Sequence, residues 1–179
     1  MADIPDEIIM ESVKDGNLAE MSVLFERYHL RLYNFFLKLT RNKDISQDLT
    51  QNLFYRMIKY KNSYKSDHSV KSWMYQIARN LHIDYCKEEK RSDDLFLKTD
   101  TYPVEVIDDN NNFQEDDYER LEEAFSGLNI SQKELIVLSR YQGLKYEEIS
   151  AIVNQSVPAI KVAIHRAIKQ LRGYYFKHN

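Results

Sequence analysis

Between Leu144 and Arg172 the chain reads LKYEEISAIVNQSVPAIKVAIHRAIKQLR, two short helical patterns with one break. Asn154 sits in the break, where asparagine is the next best choice after glycine for positive φ. Ser156 is placed to cap the second helix, and Pro158 falls in its first turn, where a missing N–H costs nothing. Ile160, Ile164, Ala167 and Leu171 recur at spacings of three and four and form its inner stripe, which turns Lys161, His165, Arg166, Lys169 and Arg172 outward. Two short helices joined by a tight turn, the second cationic, have the form of a helix-turn-helix, whose second helix enters a DNA major groove.

The rest of the chain is helical in the same way. Four glycines and three prolines in 179 residues leave little room for the turns of a β protein, so the expected class is all-α. A short helix is expected near Asp6 to Lys14. Leu24, Phe25, Tyr28, Leu32, Phe35, Phe36 and Leu39 then mark one buried face over Met21 to Leu39. Asp44 reads as the next N-cap, with Gln47 completing a capping box, ahead of Ile45, Leu49, Leu53 or Phe54, and Met57 or Ile58 on an inner face. Tyr60 to His68 is polar and reads as a loop. Ser69 caps a helix to Arg91 with Val70, Trp73, Ile77, Leu81 and Tyr85 in register. Further on, Leu121, Ala124, Phe125 and Leu128 belong to one helix. Ser131 and Glu134 form a second capping box, and that helix stops near Gly143 in a left-handed turn.

Charge divides the chain more sharply than periodicity does. The net charge is -3, yet Arg27 to Arg91 holds fourteen Lys/Arg against six Asp/Glu, and Ser156 to Asn179 holds five against none. Ser92 to Asp117 carries one Lys against nine acids, with Pro103 and the run DDNNN. A segment of that composition cannot bury enough apolar surface to offset the entropy of ordering, and reads as a tether. The expected architecture is therefore two small helical domains, 1–91 and 118–179, joined by a flexible acidic linker, 92–117. Phosphate contacts need local positive charge only, so a slightly acidic total is compatible with nucleic-acid binding.

Cys86 is the sole cysteine, so there is no intrachain disulfide and no multi-cysteine zinc site. The histidines show no ligand spacing, and the carboxylates near Asp44 have no nucleophile or metal-ligand partner in sequence. No cofactor, no metal and no catalytic residue are expected. The opening MADIPDEIIMES lacks the basic and apolar regions of a signal peptide, and no run of about eighteen apolar residues occurs. A cytoplasmic protein with no membrane contact of its own is the expectation.

With these pieces in order, the chain resembles the extracytoplasmic-function (ECF) sigma factors of bacterial RNA polymerase. DISQDLTQNLFYRM (Asp44 to Met57) is similar to the core-polymerase-binding helix of sigma region two. VKSWMYQIARNLHIDYCKEEKR (Val70 to Arg91) is similar to the helix that melts the promoter and reads its −10 element. LNISQKELIVLSRYQGLKYEEISAIVNQSVPAIKVAIHRAIKQL (Leu128 to Leu171) is similar to region four, ending in the −35-reading helix. Only the first twenty residues and the linker fall outside the likeness.

The resemblance implies a non-enzymatic initiation factor whose partners are bacterial core RNA polymerase, promoter DNA and an anti-sigma factor. It implies −10 contacts from Lys61, Asn62, Ser63, Lys71, Trp73, Tyr75, Arg79, Asn80 and Lys87. Here cations meet phosphates, Tyr60, Tyr64, Trp73 and Tyr75 offer flat faces to unpaired bases, and the loop amide or hydroxyl bonds an extruded base. For Trp73 alone a place in the core is an equal reading, since it lies on the apolar stripe. The −35 contacts would come from Ser156, Pro158, Ala159, Lys161, Val162, His165, Arg166 and Lys169. The family's usual Gly-Thr pair is replaced by Pro158-Ala159, and Val162-Ala163 stand where polar or basic residues are common. Contact with thymine methyls and readout of backbone shape then carry more of the specificity. The polymerase contact would come from Asp44, Asp48, Gln51, Asn52 and Phe54. The acidic linker would thread the RNA-exit path. The alternative in the same field is a stand-alone helix-turn-helix regulator that binds a palindromic operator as a dimer.

Overall fold

The computed structural model describes residues 4–93 and 115–177, and among them every regular element is helical. The chain divides into two compact units. The first holds α1 (Asp6–Lys14), α2 (Met21–Thr40), α3 (Lys43–Lys59) and α4 (Val70–Asp93), with a 3-10 turn at Lys61–Ser63 between α3 and α4. The second holds α5 (Glu115–Ser126), α6 (Ile130–Ile136), α7 (Tyr146–Val153) and α8 (Val157–Phe176). The expected linker lies almost wholly outside the described residues, but α4 runs two residues past Arg91 and α5 begins three before Tyr118.

The first unit closes around aromatic and aliphatic side chains. Leu24, Leu32, Phe35 and Phe36 of α2 are buried with Leu53 and Met57 of α3, and with Met74, Tyr75, Ala78 and Leu81 of α4. Phe35 meets Tyr75 edge to face, with centroids 5.7 Å apart and planes at 82°. Full burial of one such side chain contributes about 1.5–3 kcal/mol, so this cluster is the main restraint on the orientation of α4. Ile9, Met10 and Val13 of α1 complete it. Phe25, expected inside, is 39% exposed; it stacks on His29 at 4.8 Å and covers Phe54 at 4.9 Å.

Two helix starts differ from the sequence reading by the same two residues. Asn42, not Asp44, caps α3, with its side-chain oxygen accepting from the Ile45 N–H at 3.0 Å. Asn129, not Ser131, caps α6, accepting from the Gln132 N–H at 2.9 Å while Gln132 Oε1 accepts from the Asn129 N–H at 3.0 Å. In both places an asparagine stands upstream of the residue the pattern favoured, and its carbonyl reaches the third helical N–H. Asp44 then lies in the first turn of α3, where its charge complements the helix dipole.

In the second unit, Phe125, Leu128, Leu135, Leu138, Ile149, Ile160 and Ile164 are among the buried residues. α6 does not end cleanly. It widens over Val137–Tyr141 and closes with Gln142 N–H to Val137 O at 2.9 Å and Leu144 N–H to Leu138 O at 3.0 Å. Gly143 makes the expected left-handed stop at φ 64°, and Asn154 turns the chain between α7 and α8 at φ 55°. Ser156 caps α8 by accepting from the Ala159 N–H at 3.4 Å. Where Gly127 lies, a Cβ would stand 2.9 Å from the Tyr174 ring, so only glycine lets the end of α8 seat there undisturbed.

Urea unfolding of single variants tests the caps. Asn42→Ala and Asn129→Ala should each cost about 1 kcal/mol, and Asp44→Ala and Ser131→Ala no more than a few tenths. The reverse order would restore the starts read from sequence.

Candidate nucleic-acid interface

The last helix carries the simplest surface. Ile160, Ile164 and Ala167 are buried, and the residues between them are therefore outward at 3.6 residues per turn. Ser156, Pro158, Ala159, Lys161, Val162, His165, Arg166 and Lys169 are all exposed, on one side of α8. The first turn presents an apolar spot, with Val162 at 50% exposure, ringed by cations further along. Lys161 extends over the Tyr146 ring, its ammonium 5.8 Å from the centroid, so an α7 aromatic helps place this charge. Every residue that the sequence assigned to this face is on it.

α4 is divided more finely. Trp73, Asn80 and Lys87 follow one stripe with Ile77 and Asp84, by the spacing of four, three, four and three. Between this stripe and the loop lies an open hollow of about 190 Å³, lined by Arg56, Tyr60, Ser63, Trp73, Ile77 and Asn80. Trp73 is half-buried, its ring 5.3 Å from that of Tyr64, so the two readings of Trp73 meet: one part packs and another faces the hollow. Asn62 and Ser63 are exposed, and Ser63 Oγ donates to Tyr60 O at 2.7 Å. Lys71 and Arg79 are half-buried and lie off the Trp73 stripe.

Three expectations on α4 and the loop before it are corrected. Tyr75 is 1% exposed and offers no face to a base; it lies two residues, about 200° of helix, from Trp73 and packs on Phe35 instead. Tyr64 is also buried, its hydroxyl donating to His68 O at 2.8 Å. Lys61 is turned away from the hollow, its ammonium donating to Val13 O at 3.1 Å and Lys14 O at 2.7 Å.

On α3, Asp44, Asp48, Gln51 and Asn52 are exposed and share one face. Phe54 does not join them: it is 6% exposed beneath Phe25. The sequence reading missed Tyr55, 61% exposed on that same face and one helical turn after Gln51 and Asn52. It missed Arg56 as well, which reaches toward Asp84 at 3.7 Å on the rim of the hollow. The signal for Tyr55 was the spacing of four and seven from Asp44 through Asp48; Arg56 has no such signal. Lys59 lies near the Tyr55 and Tyr60 rings, at 5.9 and 5.4 Å.

Among the described residues, no group of three or more His, Cys, Asp or Glu is placed to hold a metal ion. None of their helices is long and apolar enough to cross a membrane.

Comparison with known proteins assigns the two units to one family. The family profile for Sigma-70 region 2 matches residues 24–92, and that for Sigma-70, region 4 matches 118–171. The ECF RNA polymerase sigma factor SigM of Bacillus subtilis (strain 168) is 32% identical over 164 residues, covering 85% of this chain and 93% of that protein. CarQ, an RNA polymerase sigma factor of Myxococcus xanthus, is 27% identical, covering 91% of this chain and 93% of that one. Among solved structures, CnrH in complex with the cytosolic domain of CnrY gives a TM-score of 0.71 at 20% identity, covering 94% of this chain and 95% of that one. RpoE in complex with the anti-sigma factor NepR from Bartonella quintana gives 0.68 at 22%, covering 86% and 94%. These two establish the likeness of fold.

Burial around the hollow has a titration signature. The Tyr64 hydroxyl is pushed up from 10.0 to about 12, chiefly by burial and then by the nearby carboxylates of Glu7 and Glu11. The folded state holds this proton more tightly than the unfolded chain, so the associated stability is complete below pH 10 and is lost as pH rises from 10 to 12. Urea midpoints of the first unit should fall across that window, and the fall should be shallower in Tyr64→Phe. A slope identical in both proteins would remove Tyr64 as its cause.

Proposed function

This chain belongs to the ECF sigma factors of the sigma-70 family, and from that membership and its surfaces we infer how its two units divide the work of starting transcription. As an RNA polymerase sigma factor it directs core polymerase to promoters. The observation that carries the division of labour is the pairing of a basic, partly apolar helix face on one unit with an aromatic-lined hollow on the other.

Duplex and unpaired DNA make different physical demands. A duplex presents phosphates and groove edges, which suit α8: Arg166, Lys169 and His165 lie against phosphates, and Ser156, Pro158, Ala159, Lys161 and Val162 reach the bases of the −35 element. An opened strand presents base faces, and stacking on an aromatic contributes about 1–3 kcal/mol per base. The hollow offers Trp73 and Tyr60 for stacking, Asn80 and Ser63 for hydrogen bonds, and Arg56 as a cation at its rim. A −10 base extruded into it holds the strands apart, with Asn62 and Lys87 along the approach and Lys71 and Arg79, off the Trp73 stripe, assigned to phosphates elsewhere along α4. Tyr75 and Lys61 act through the fold.

The exposed polar face of α3 is assigned to core polymerase, with Asp44, Asp48, Gln51, Asn52 and Tyr55 as its contact residues and Phe54 as the support beneath. The domain boundaries are proposed as 1–91 for polymerase and −10 DNA, 92–117 for the acidic linker in the RNA-exit path, into which α4 and α5 extend by two and three residues, and 118–179 for −35 DNA. The chain makes and breaks no covalent bond, that chemistry being the polymerase's, and works in the cytoplasm. An anti-sigma factor is proposed as the partner that holds it inactive, in keeping with the RpoE–NepR complex.

Equilibrium binding to promoter duplex across a salt series tests the α8 assignment. Arg166→Ala and Lys169→Ala should each weaken binding at all sequences and lower the salt slope by about 1. An unchanged slope removes α8 from the phosphate backbone. Separately, Asp48→Ala with Tyr55→Ala should abolish co-elution with core polymerase while the thermal melt is kept. Retained co-elution would place the contact elsewhere.

A further inference from the structure

Helix α1 precedes the segment that matches region 2, at residues 24–92, yet its side chains and backbone end on the loop between α3 and α4. At the start of that loop, the Lys61 ammonium closes the C-terminal end of α1 on the carbonyls of Val13 and Lys14. Lys14 answers by donating to Tyr64 O at 3.2 Å. Further along, Ser66 Oγ donates to Glu11 Oε1 at 2.5 Å. At the end of the loop, the Val70 N–H, in the first turn of α4, donates to Glu7 Oε1 at 3.4 Å. α1 is itself tied down: Arg27 donates to Ile4 O at 2.7 Å and to Asp6 Oδ1 at 2.5 Å, and Tyr28 donates to Asp6.

The loop is therefore gripped at its beginning, middle and end by one helix. The Tyr64 hydroxyl is raised first by burial and only then by the carboxylates of Glu7 and Glu11, which places both acids near the loop. Glu11 and Glu7 bring two carboxylates onto the loop and helix start that border a surface assigned to DNA, where negative charge opposes phosphate approach, so their presence calls for a gain elsewhere. Ordering a flexible loop on binding costs conformational entropy, and a loop ordered in advance avoids that cost.

We propose that α1 is a positioning element for promoter opening, with Glu7, Glu11 and Lys14 holding residues 61–69 so that the hollow beside Trp73 is formed before DNA arrives. The proposal rests on the assignment of that hollow to the −10 element. Charge alone and positioning give opposite signs for the loss of Glu11. Removing a negative charge near DNA favours binding by Coulomb's law, whereas removing a loop anchor disfavours opening.

The test uses the full chain with core polymerase on a promoter it transcribes, scoring unpaired thymines by permanganate. Glu11→Ala should lower the yield of open complex by roughly fivefold, with melting temperature and core affinity unchanged. Glu11→Gln, which still accepts from Ser66 without the charge, should restore opening. Ser66→Ala should reproduce the loss and add little to Glu11→Ala, and it keeps the test open should changes in α1 unfold the unit. Equal or better opening in Glu11→Ala and Ser66→Ala overturns the positioning role if Asn80→Ala opens poorly, and the −10 assignment then survives. If Asn80→Ala also opens normally, the −10 assignment of the hollow fails and the positioning role with it.

Discussion

The edge-to-face packing of Phe35 on Tyr75 fixes what the first unit can present to a partner. With Tyr75 turned inward, helix geometry sends Trp73 to the border of the core and Asn80 and Lys87 outward. Met74, Ala78 and Leu81 are buried with Tyr75, so the hollow is lined by the α4 residues left at the border of that core. The second unit solves the same problem with Ile160, Ile164 and Ala167, whose burial leaves the cationic face of α8 no other direction. In both units the functional surface is the complement of the core.

Electrostatics then distinguishes those surfaces by charge. The acids of the first unit are used in separate places: Asp6, Glu7 and Glu11 bond within the fold, and Asp44 and Asp48 stand exposed on α3. The α8 face has no acid at all from Ser156 onward. A net charge of -3 is thus no obstacle to DNA binding, since screening confines each phosphate to charges within about 10 Å.

The periodic pattern was enough for the all-α class, the order of helices and the outward face of α8, because each depends on spacing within one helix. It was not enough where two aromatic neighbours compete for one core. Trp73 and Tyr75 are both plausible inner residues, and only the position of Phe35 on α2 decides between them. On α3 the adjacent Phe54 and Tyr55 divide in the same way, Phe54 buried beneath Phe25 and Tyr55 left exposed. Lys61 was misplaced for a different reason: its partners are in α1, some fifty residues upstream, and no local pattern records such a contact. The two caps were missed because Asp44 and Ser131 are good capping residues, and a better-placed asparagine precedes each.

The central claim is that these two units together make a promoter-directing subunit of RNA polymerase. Run-off transcription with purified bacterial core polymerase, with and without this protein, on a library of promoter fragments tests it most directly. Discrete transcripts that appear only with the protein, sharing upstream −35 and −10 sequences, are the expected result. No transcripts and no co-elution with core, together with a dimer bound to a palindrome, would contradict it and identify a stand-alone regulator.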